Sequence, residues 1–515
     1  MSDLSWPLER AALVHGGRTA VVEGERSLTY AQLAARVGAV GAALDDLGLG
    51  EGARVGFLGV NSLAHLECWL AVPAFGRVLV DLNFRLAADE LAFMVDDAEI
   101  EVLVADVARL DIARGLRQRC PGLRQLILDA PAASSEDCLA YEDLAAGSPA
   151  PAPGGESDTL GTISYTGGTT GRPKGVMLSH GNLLANAQHN LVATGHRPED
   201  RFLHVPPMFH VAGTSNVFAC TWVGTRQVLL PRFDPAAVLA AIERERITHM
   251  ALVPTMLAML LGAPEFDAAD LSSLRNVQYA ASPISPELQR RVLERLPCEV
   301  AQFYGMTEAA PTVTHLTPQD HRDAPGRLAS MGAPVPGVQV EVRGPAGDRL
   351  EAGEVGELWI RGPNIMLGYW KRPDATADAL VGGWYRSGDI VRADEHGYLF
   401  MVDRAKDMII SGGENVYSIE VESVLSEHHD VLEAAVFGIP DPRWGEAVHA
   451  VVTVRPGTAP GVGELIEHAR RRIAGFKVPR SIDVRDEPLP KSGAGKVLKA
   501  ELRKPYWTGH ARRVS

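Results

Sequence analysis

This sequence predicts an α/β protein of more than one domain. We expect a large N-terminal domain of two α/β subdomains plus a small barrel-like β module, followed by a smaller α/β C-terminal domain. Three observations carry that expectation. Helical and strand-like patterns alternate over residues 1–140 and again over Arg201–Val300, as a parallel sheet requires. Past Gly332 the pattern changes to short strands broken by turns. The chain also has 515 residues, more than one hydrophobic core usually encloses.

Ser27–Leu47 is amphipathic at helical spacing with Ser27 as its cap, Arg54–Leu58 reads as a buried strand, and Ser62–Ala74 as a helix. Val78–Leu82 is again a strand, Ala87–Asp96 a helix and Glu101–Ala105 a strand. Ala145–Asp158 (AAGSPAPAPGGESD) is a Pro/Gly/Ser-rich surface connection. Gln339–Val342, Gly356–Ile360 and Tyr398–Val402 suit the barrel-like module. From Arg404 a last α/β unit runs through Met408–Ile410, Ser418–Ser426, Ala434–Gly438, Ala447–Val454 and Gly463–Ile473.

Composition excludes several classes. Hydrophobic residues make up 46% and charged residues 22%, which fits a globular enzyme rather than a disordered chain. Fifty Lys/Arg against 64 Asp/Glu give a net charge of −14, which disfavours nucleic acid as a partner. The tail is the exception, since Glu464–Ser515 holds 13 Lys/Arg against 6 Asp/Glu. A solvated surface is the preferred reading of that excess, with a phosphate-bearing ligand the other. Five cysteines without metal spacing read as thiols in a reducing compartment, and the N-terminus lacks signal-peptide organisation. The longest apolar run, Met250–Gly262, is too short to span a bilayer and contains Pro254. A cytoplasmic location is expected.

The most informative stretch is Tyr165–Gly175, YTGGTTGRPKG, beside the apolar runs Leu160–Tyr165 and Val176–Leu178. Glycines let backbone N–H groups converge, threonines add hydroxyls and lysine adds charge, a combination that suits a polyphosphate. The lysine follows Pro173, so this is not the P-loop pattern. Taken alone it also reads as a flexible hairpin tip. Four more constellations follow in order: Phe303–Glu308 (FYGMTE), Trp384–Asp389 (WYRSGD), Asp403–Asn415 (DRAKDMIISGGEN) and Leu489–Lys499 (LPKSGAGKVLK).

With these five motifs in this order the chain resembles the acyl-adenylate-forming (ANL) superfamily, which includes acyl-CoA synthetases, luciferase-like enzymes and adenylation domains of peptide synthetases. The resemblance runs from Leu28 to Lys499. It implies that Thr166, Gly167, Gly168, Thr169, Thr170, Gly171 and Lys174 hold ATP phosphates, with Gly167 standing where most relatives carry serine. It implies that Ala281 lines adenine, Tyr304 packs on it, Thr307 faces the α-phosphate and Glu308 binds Mg²⁺. Asp389 then takes the ribose hydroxyls with Arg404 beside it, and Lys496 bridges the substrate carboxylate and the α-phosphate. A carboxylate attacking an α-phosphate brings two anions together, and a lysine with a metal supplies the opposing charge. Read singly, Asp389 is a turn acid, Glu308 a helix cap and Lys496 one lysine of a basic tail. Their order selects the other reading.

The resemblance further implies a domain division at 1–403 and 404–515, with a mobile C-terminal domain that alternates between two poses about Lys406. Gly412 and Gly413 would then line the passage for a thiol. Gly438–Glu446 (GIPDPRWGE) and Gly475–Pro479 (GFKVP) look like those of CoA ligases, and for Lys477 ordinary surface charge is preferred over a CoA phosphate contact. In Pro207–Ser215 (PMFHVAGTS), His210 falls between the acyl pocket and the thiol passage. No acid lies between Val205 and Leu230, which disfavours an amino acid as substrate. Thr214, Tyr279, Ala280, Phe303, Pro311 and Thr312 complete the expected pocket, with Phe303 in place of a common glycine. The expectation is an AMP-forming carboxylic acid–CoA ligase using ATP, Mg²⁺ and coenzyme A. Its acid is uncharged: medium or long chain, aromatic or bulky alicyclic. Alternatives are transfer to an acyl carrier protein and, more remotely, a luciferase-like oxygenase.

Overall fold

The computed structural model describes residues 3–130, 137–166, 173–412, 414–491 and 497–508. They form two units: Met1–Gln339 with Ile360–Tyr385, and Val340–Trp359 with Arg386–Ser515. The division falls within the strands Val355–Arg361 and Trp384–Ala393, so residue 403 lies inside the second unit.

Two large sheets organise the first unit. One has eight strands in the order Gly368–Tyr369, Lys174–Ser179, Leu160–Thr166, Val78–Asp81, Arg54–Leu58, Ile100–Asp106, Gln125–Asp129 and Leu139–Ala140. Its pairings from Leu160–Thr166 to Leu139–Ala140 are parallel, and the core strands are buried runs of Val, Leu and Ile rather than alternating ones. The other has nine strands, ordered Ala333–Pro334, Thr312–Leu316, Glu299–Gly305, Asn276–Tyr279, His249–Leu252, Arg201–His204, Arg226–Leu229, Thr19–Glu23 and Arg26–Thr29. Helices Pro235–Glu245, Pro254–Leu261 and Pro286–Arg295 contribute buried side chains to its core.

Ser27 does not cap the long helix. It lies in the strand Arg26–Thr29, which pairs antiparallel with Thr19–Glu23, and the helix begins at Tyr30. Thr29 is the cap, accepting from Gln32 N while the Gln32 side chain accepts from Thr29 N, so two orphan donors are satisfied together. Ser62 caps Leu63–Ala74 as its position suggests. The run Met250–Gly262 splits into the strand end at Leu252 and the helix Pro254–Leu261. Among the described residues no helix is long and apolar enough to cross a membrane.

The barrel-like module is an open five-stranded sheet, Gln339–Arg343, Val355–Arg361, Trp384–Ala393 and Leu380–Val381, with Leu399–Arg404 also on Trp384–Ala393. Most of its residues belong to the second unit. There a second five-stranded sheet centres on the antiparallel pair Val431–Asp441 and Gly445–Val454. Helices Ser418–Ser426 and Val462–Arg470 cover it, through Val421, Leu425, Leu465 and Ala469.

Candidate active site

The phosphate-loop motif sits on a hairpin. Leu160–Thr166 and Lys174–Ser179 pair antiparallel, with Thr166 opposite Lys174 and the Thr166 hydroxyl donating to Lys174 O at 3.5 Å. Gly167, Gly168, Thr169, Thr170 and Gly171 lie outside the described residues. The next strand, Gly368–Tyr369, pairs on the outer side of Lys174–Ser179, with Tyr369 opposite Val176. The Lys174 ammonium stands over the Tyr369 ring, 5.0 Å from its centroid.

The same tyrosine reaches Glu308. Its hydroxyl donates to Glu308 Oε1 at 3.0 Å, while Met366 N donates to Glu308 O at 2.9 Å. Burial and the Glu308 charge push the Tyr369 phenol well above its usual range, so it stays a donor. Thr307 and Glu308 lie on the short turn Thr307–Ala309, which follows a tight approach of two strands. A Cβ at Gly305 would lie 1.8 Å from Pro311 O, so only glycine lets the chain pass. The buried Asn364 amide donates to Ala309 O and Thr312 O, at 2.7 and 2.9 Å, and fixes the turn's far end. Tyr304, half-buried, pairs with Thr314, and Ala281 takes a left-handed φ of +76°, a strained conformation for a residue with a Cβ.

The expected acyl segment is built differently from its neighbours. His210 caps the short helix Val211–Thr214, with Nδ1 accepting from Ala212 N at 3.2 Å, which leaves the ring proton on Nε2. Gly213 packs so tightly that a Cβ would come within 2.3 Å of Pro207 O. Thr214 is buried. Two asparagines of the helix His180–Thr194 link this segment to the other side. Asn186 and Asn190 each donate to Ser215 O, and their side-chain oxygens accept from Thr312 N and the Thr312 hydroxyl. Phe303 stacks on His315 at 4.5 Å between centroids. Ala280 and Pro311 are half-buried. Tyr279 is fully buried and its hydroxyl is engaged by Gln289, Gln302 and His321, so that hydroxyl serves the core.

The second unit contains the remaining candidates. Asp389 is buried opposite Arg404 on paired strands, with Arg404 Nε 3.3 Å from its carboxylate. Lys406 lies in the turn that follows, where Asp407 N and Met408 N both donate to Arg404 O. Gly412 has φ +64°, and a Cβ there would lie 2.7 Å from the Trp444 ring. Lys477 donates to both oxygens of Glu420, at 2.7 and 2.8 Å, as an ordinary ion pair. Gly413 and Lys496 lie outside the described residues.

Comparison with known proteins decides the family. The profile of the AMP-binding enzyme family matches residues 8–370, and that of the AMP-binding enzyme C-terminal domain matches 420–496. The chain belongs to the AMP-binding enzyme family. It is similar to a feruloyl-CoA synthase from Amycolatopsis sp, 41% identical over 503 residues, covering 98% of each protein. An indoleacetate–CoA ligase from Aromatoleum aromaticum is 37% identical over 510 residues, covering 97% of this chain and 98% of the relative. Among solved structures, the amide bond synthetase McbA from Marinactinospora thermotolerans superposes with a TM-score of 0.88 at 34% identity, covering 98% of this chain and 100% of that one.

For this AMP-binding enzyme, sequence reasoning missed Tyr369, Asn364, Asn186 and Asn190. Tyr369 and Asn364 fall in Asn364–Trp370 (NIMLGYW), whose aromatic pair after a glycine resembles the FYG of Phe303–Gly305 and was a signal available to reading. Asn186 and Asn190 are four residues apart on one helix face, a spacing that buried polar pairs share with solvated ones.

Proposed function

We propose that this AMP-binding enzyme activates a carboxylic acid, uncharged apart from its reacting carboxylate, with MgATP, forming an acyl-adenylate and pyrophosphate, and then transfers the acyl group to coenzyme A. The observation that supports this most is the meeting of Lys174, Tyr369 and Glu308 beside the base of the Gly/Thr hairpin. A cation and a carboxylate meet there, close to the strand ends Thr166 and Lys174, as a bound polyphosphate and its metal need. Glu308 is one half-buried carboxylate, which fits a Mg²⁺ ion that keeps most of its ligands as water and phosphate oxygens. Such an ion would neutralise charge on the phosphates.

In this reading Thr166, the loop residues 167–171 and Lys174 hold the phosphates, Thr307 faces the α-phosphate, and Ala281 and Tyr304 take the adenine. Asp389, with Arg404 restraining its carboxylate, accepts the ribose hydroxyls, and Lys496 joins the two reacting anions. His210, Thr214, Ala280, Phe303, Pro311 and Thr312 border the acid, Tyr279 doing so through its ring alone. Residues 404–515 rotate about Lys406 and bring Gly412 and Gly413 to the thiol. The aromatic acids named for the two relatives favour a ring-bearing substrate. Five free cysteines, four of them buried, support a reducing compartment and hence the cytoplasm.

The test is ATP-dependent pyrophosphate release across aromatic, alicyclic and fatty acids, with and without coenzyme A. Release with one acid class, faster with coenzyme A and yielding a thioester by mass, is expected. Accumulating adenylate that coenzyme A leaves untouched would move the acceptor to a carrier protein or an amine. Light emission or oxygen uptake would point to the oxygenase.

A further inference from the structure

Tyr369 is anchored by backbone hydrogen bonds on both sides of its short strand. Its strand is hydrogen-bonded on one side to Lys174–Ser179, through Leu367 N to Met177 O at 2.9 Å and Trp370 N to Gly175 O at 2.8 Å. On the other, Tyr369 N donates to the Thr376 hydroxyl at 2.9 Å. The side chain is buried, with 9% exposure, and its backbone is fixed at both neighbours, so its ring and hydroxyl have little freedom. Glu308 lies on a three-residue turn, and Lys174 carries four rotatable bonds on its side chain, so a fixed partner can orient both.

We propose that Tyr369 is a positioning residue for the metal and phosphate groups, its hydroxyl orienting the Glu308 carboxylate and its ring seating the Lys174 ammonium. The inference rests on the ligase reading above. A carboxylate that binds a metal binds it best when an outer hydrogen bond fixes its plane, and loss of such partners typically weakens affinity by about 10- to 100-fold. An ammonium over an aromatic face stays on that face without being neutralised, so its charge remains available to phosphate. One rigid side chain thereby sets the spacing between the carboxylate for the metal and the cation for the phosphates. A direct ion pair between those two groups would cancel both.

Two variants separate the two contacts. Tyr369→Phe keeps the ring and removes the hydroxyl, whereas Tyr369→Leu removes both. Binding of ATP is measured by calorimetry with and without Mg²⁺, alongside the unfolding temperature of each variant. In the Phe variant, the strengthening of ATP binding by Mg²⁺ should fall by about tenfold while metal-free ATP binding stays within twofold. In the Leu variant metal-free ATP binding should weaken as well. A Phe variant whose Mg²⁺ effect matches the parent overturns the orienting role, and a Leu variant that binds metal-free ATP like the parent overturns the seating role. A parent protein that releases pyrophosphate with some acid confines either failure to Tyr369. A parent that neither binds MgATP nor releases pyrophosphate overturns the ligase reading and this role together.

Discussion

The carboxylate of Asp97 accepts the Tyr165 hydroxyl at 2.7 Å, one residue before the hairpin position Thr166. The same carboxylate takes Arg372 at 2.8 Å, and the Asp97 carbonyl accepts Trp370 Nε1 and Lys371 Nζ, both at 2.8 Å. The last turn of the helix Ala88–Ala98 therefore ties together the strand that opens the Gly/Thr hairpin and the segment that follows Tyr369. Burial and the Asp97 charge both push the Tyr165 phenol up, so the donor keeps its proton.

Replacing Asp97 by Ala leaves the Tyr165 hydroxyl and the Arg372 guanidinium without this acceptor, at a cost of about 1–3 kcal/mol in stability. Because the hairpin loses its tether, KM for ATP should rise by about tenfold or more while KM for the acid changes little. Initial rates of pyrophosphate release against each substrate check this. An equal change in both constants would make Asp97 a general support of the fold.

Gly412 carries a prediction of a different kind. Its φ of +64° and the Trp444 ring 2.7 Å from the position of a Cβ mean that any side chain is strained, whatever passes nearby. Gly412→Ala should therefore destabilise the second unit by about 1–3 kcal/mol in addition to any loss of thioester formation. Chemical unfolding followed by circular dichroism reports the first effect, and coenzyme A-dependent thioester yield from supplied adenylate the second. Intact stability with thioester formation lost would assign the glycine to the thiol alone.

Much of this architecture is legible along the chain. Leu160–Tyr165 and Val176–Leu178 announce the two strands because apolar runs flank a Gly/Thr-rich segment, and the Gly305 requirement lies in FYGMTE itself. Ser27 misleads because the turn at Gly24 draws Arg26–Thr29 back onto Thr19–Glu23, a pairing that helical periodicity does not reveal. Tyr369 and Glu308 are 61 residues apart, and only the addition of Gly368–Tyr369 to the edge of a sheet brings them together. Contacts made by strand order rather than by local pattern stay hidden until the order is known.

Buried histidines make the fold less stable as the pH falls. Burial lowers His189, His204 and His315 to about 4, each from 6.5. Between pH 6.5 and about 4 the unfolded chain binds more protons at these sites, so their contribution destabilises the fold as pH falls and levels off below about 4. Each histidine adds a slope of up to about 1.4 kcal/mol per pH unit. Glu23 and Asp129, raised by burial, act with the opposite sign just above their ordinary carboxylate range. Urea unfolding from pH 7 to pH 4.5 should show the slope reduced in His315→Gln, by about the share of one proton. An unchanged slope would mean that His315 titrates alike in both states.

Two lysines near the C-terminus should part ways under mutation. Lys499 Nζ donates to the Ser418 hydroxyl at 2.7 Å and pairs with Glu422 at 2.6 Å, while Ser418 donates to the buried Asp403 from both N and Oγ. That lysine neutralises an internal acid pair, and Lys499→Ala should lower the stability of the second unit, because it leaves Glu422 and Asp403 without their cation. In the proposed reaction the chemistry falls to Lys496 instead. Lys496→Ala should leave stability unchanged and reduce acid-dependent pyrophosphate release by about 10²–10³-fold, the loss expected when one charge is removed from an anionic transition state. It should still convert a supplied acyl-adenylate to thioester, since that step no longer joins two anions. Unfolding curves and the two half-reactions, run side by side on both variants, discriminate the roles. If Lys496→Ala lost both half-reactions equally, the alternation about Lys406 would fall, and Lys496 would act in a single pose of the chain.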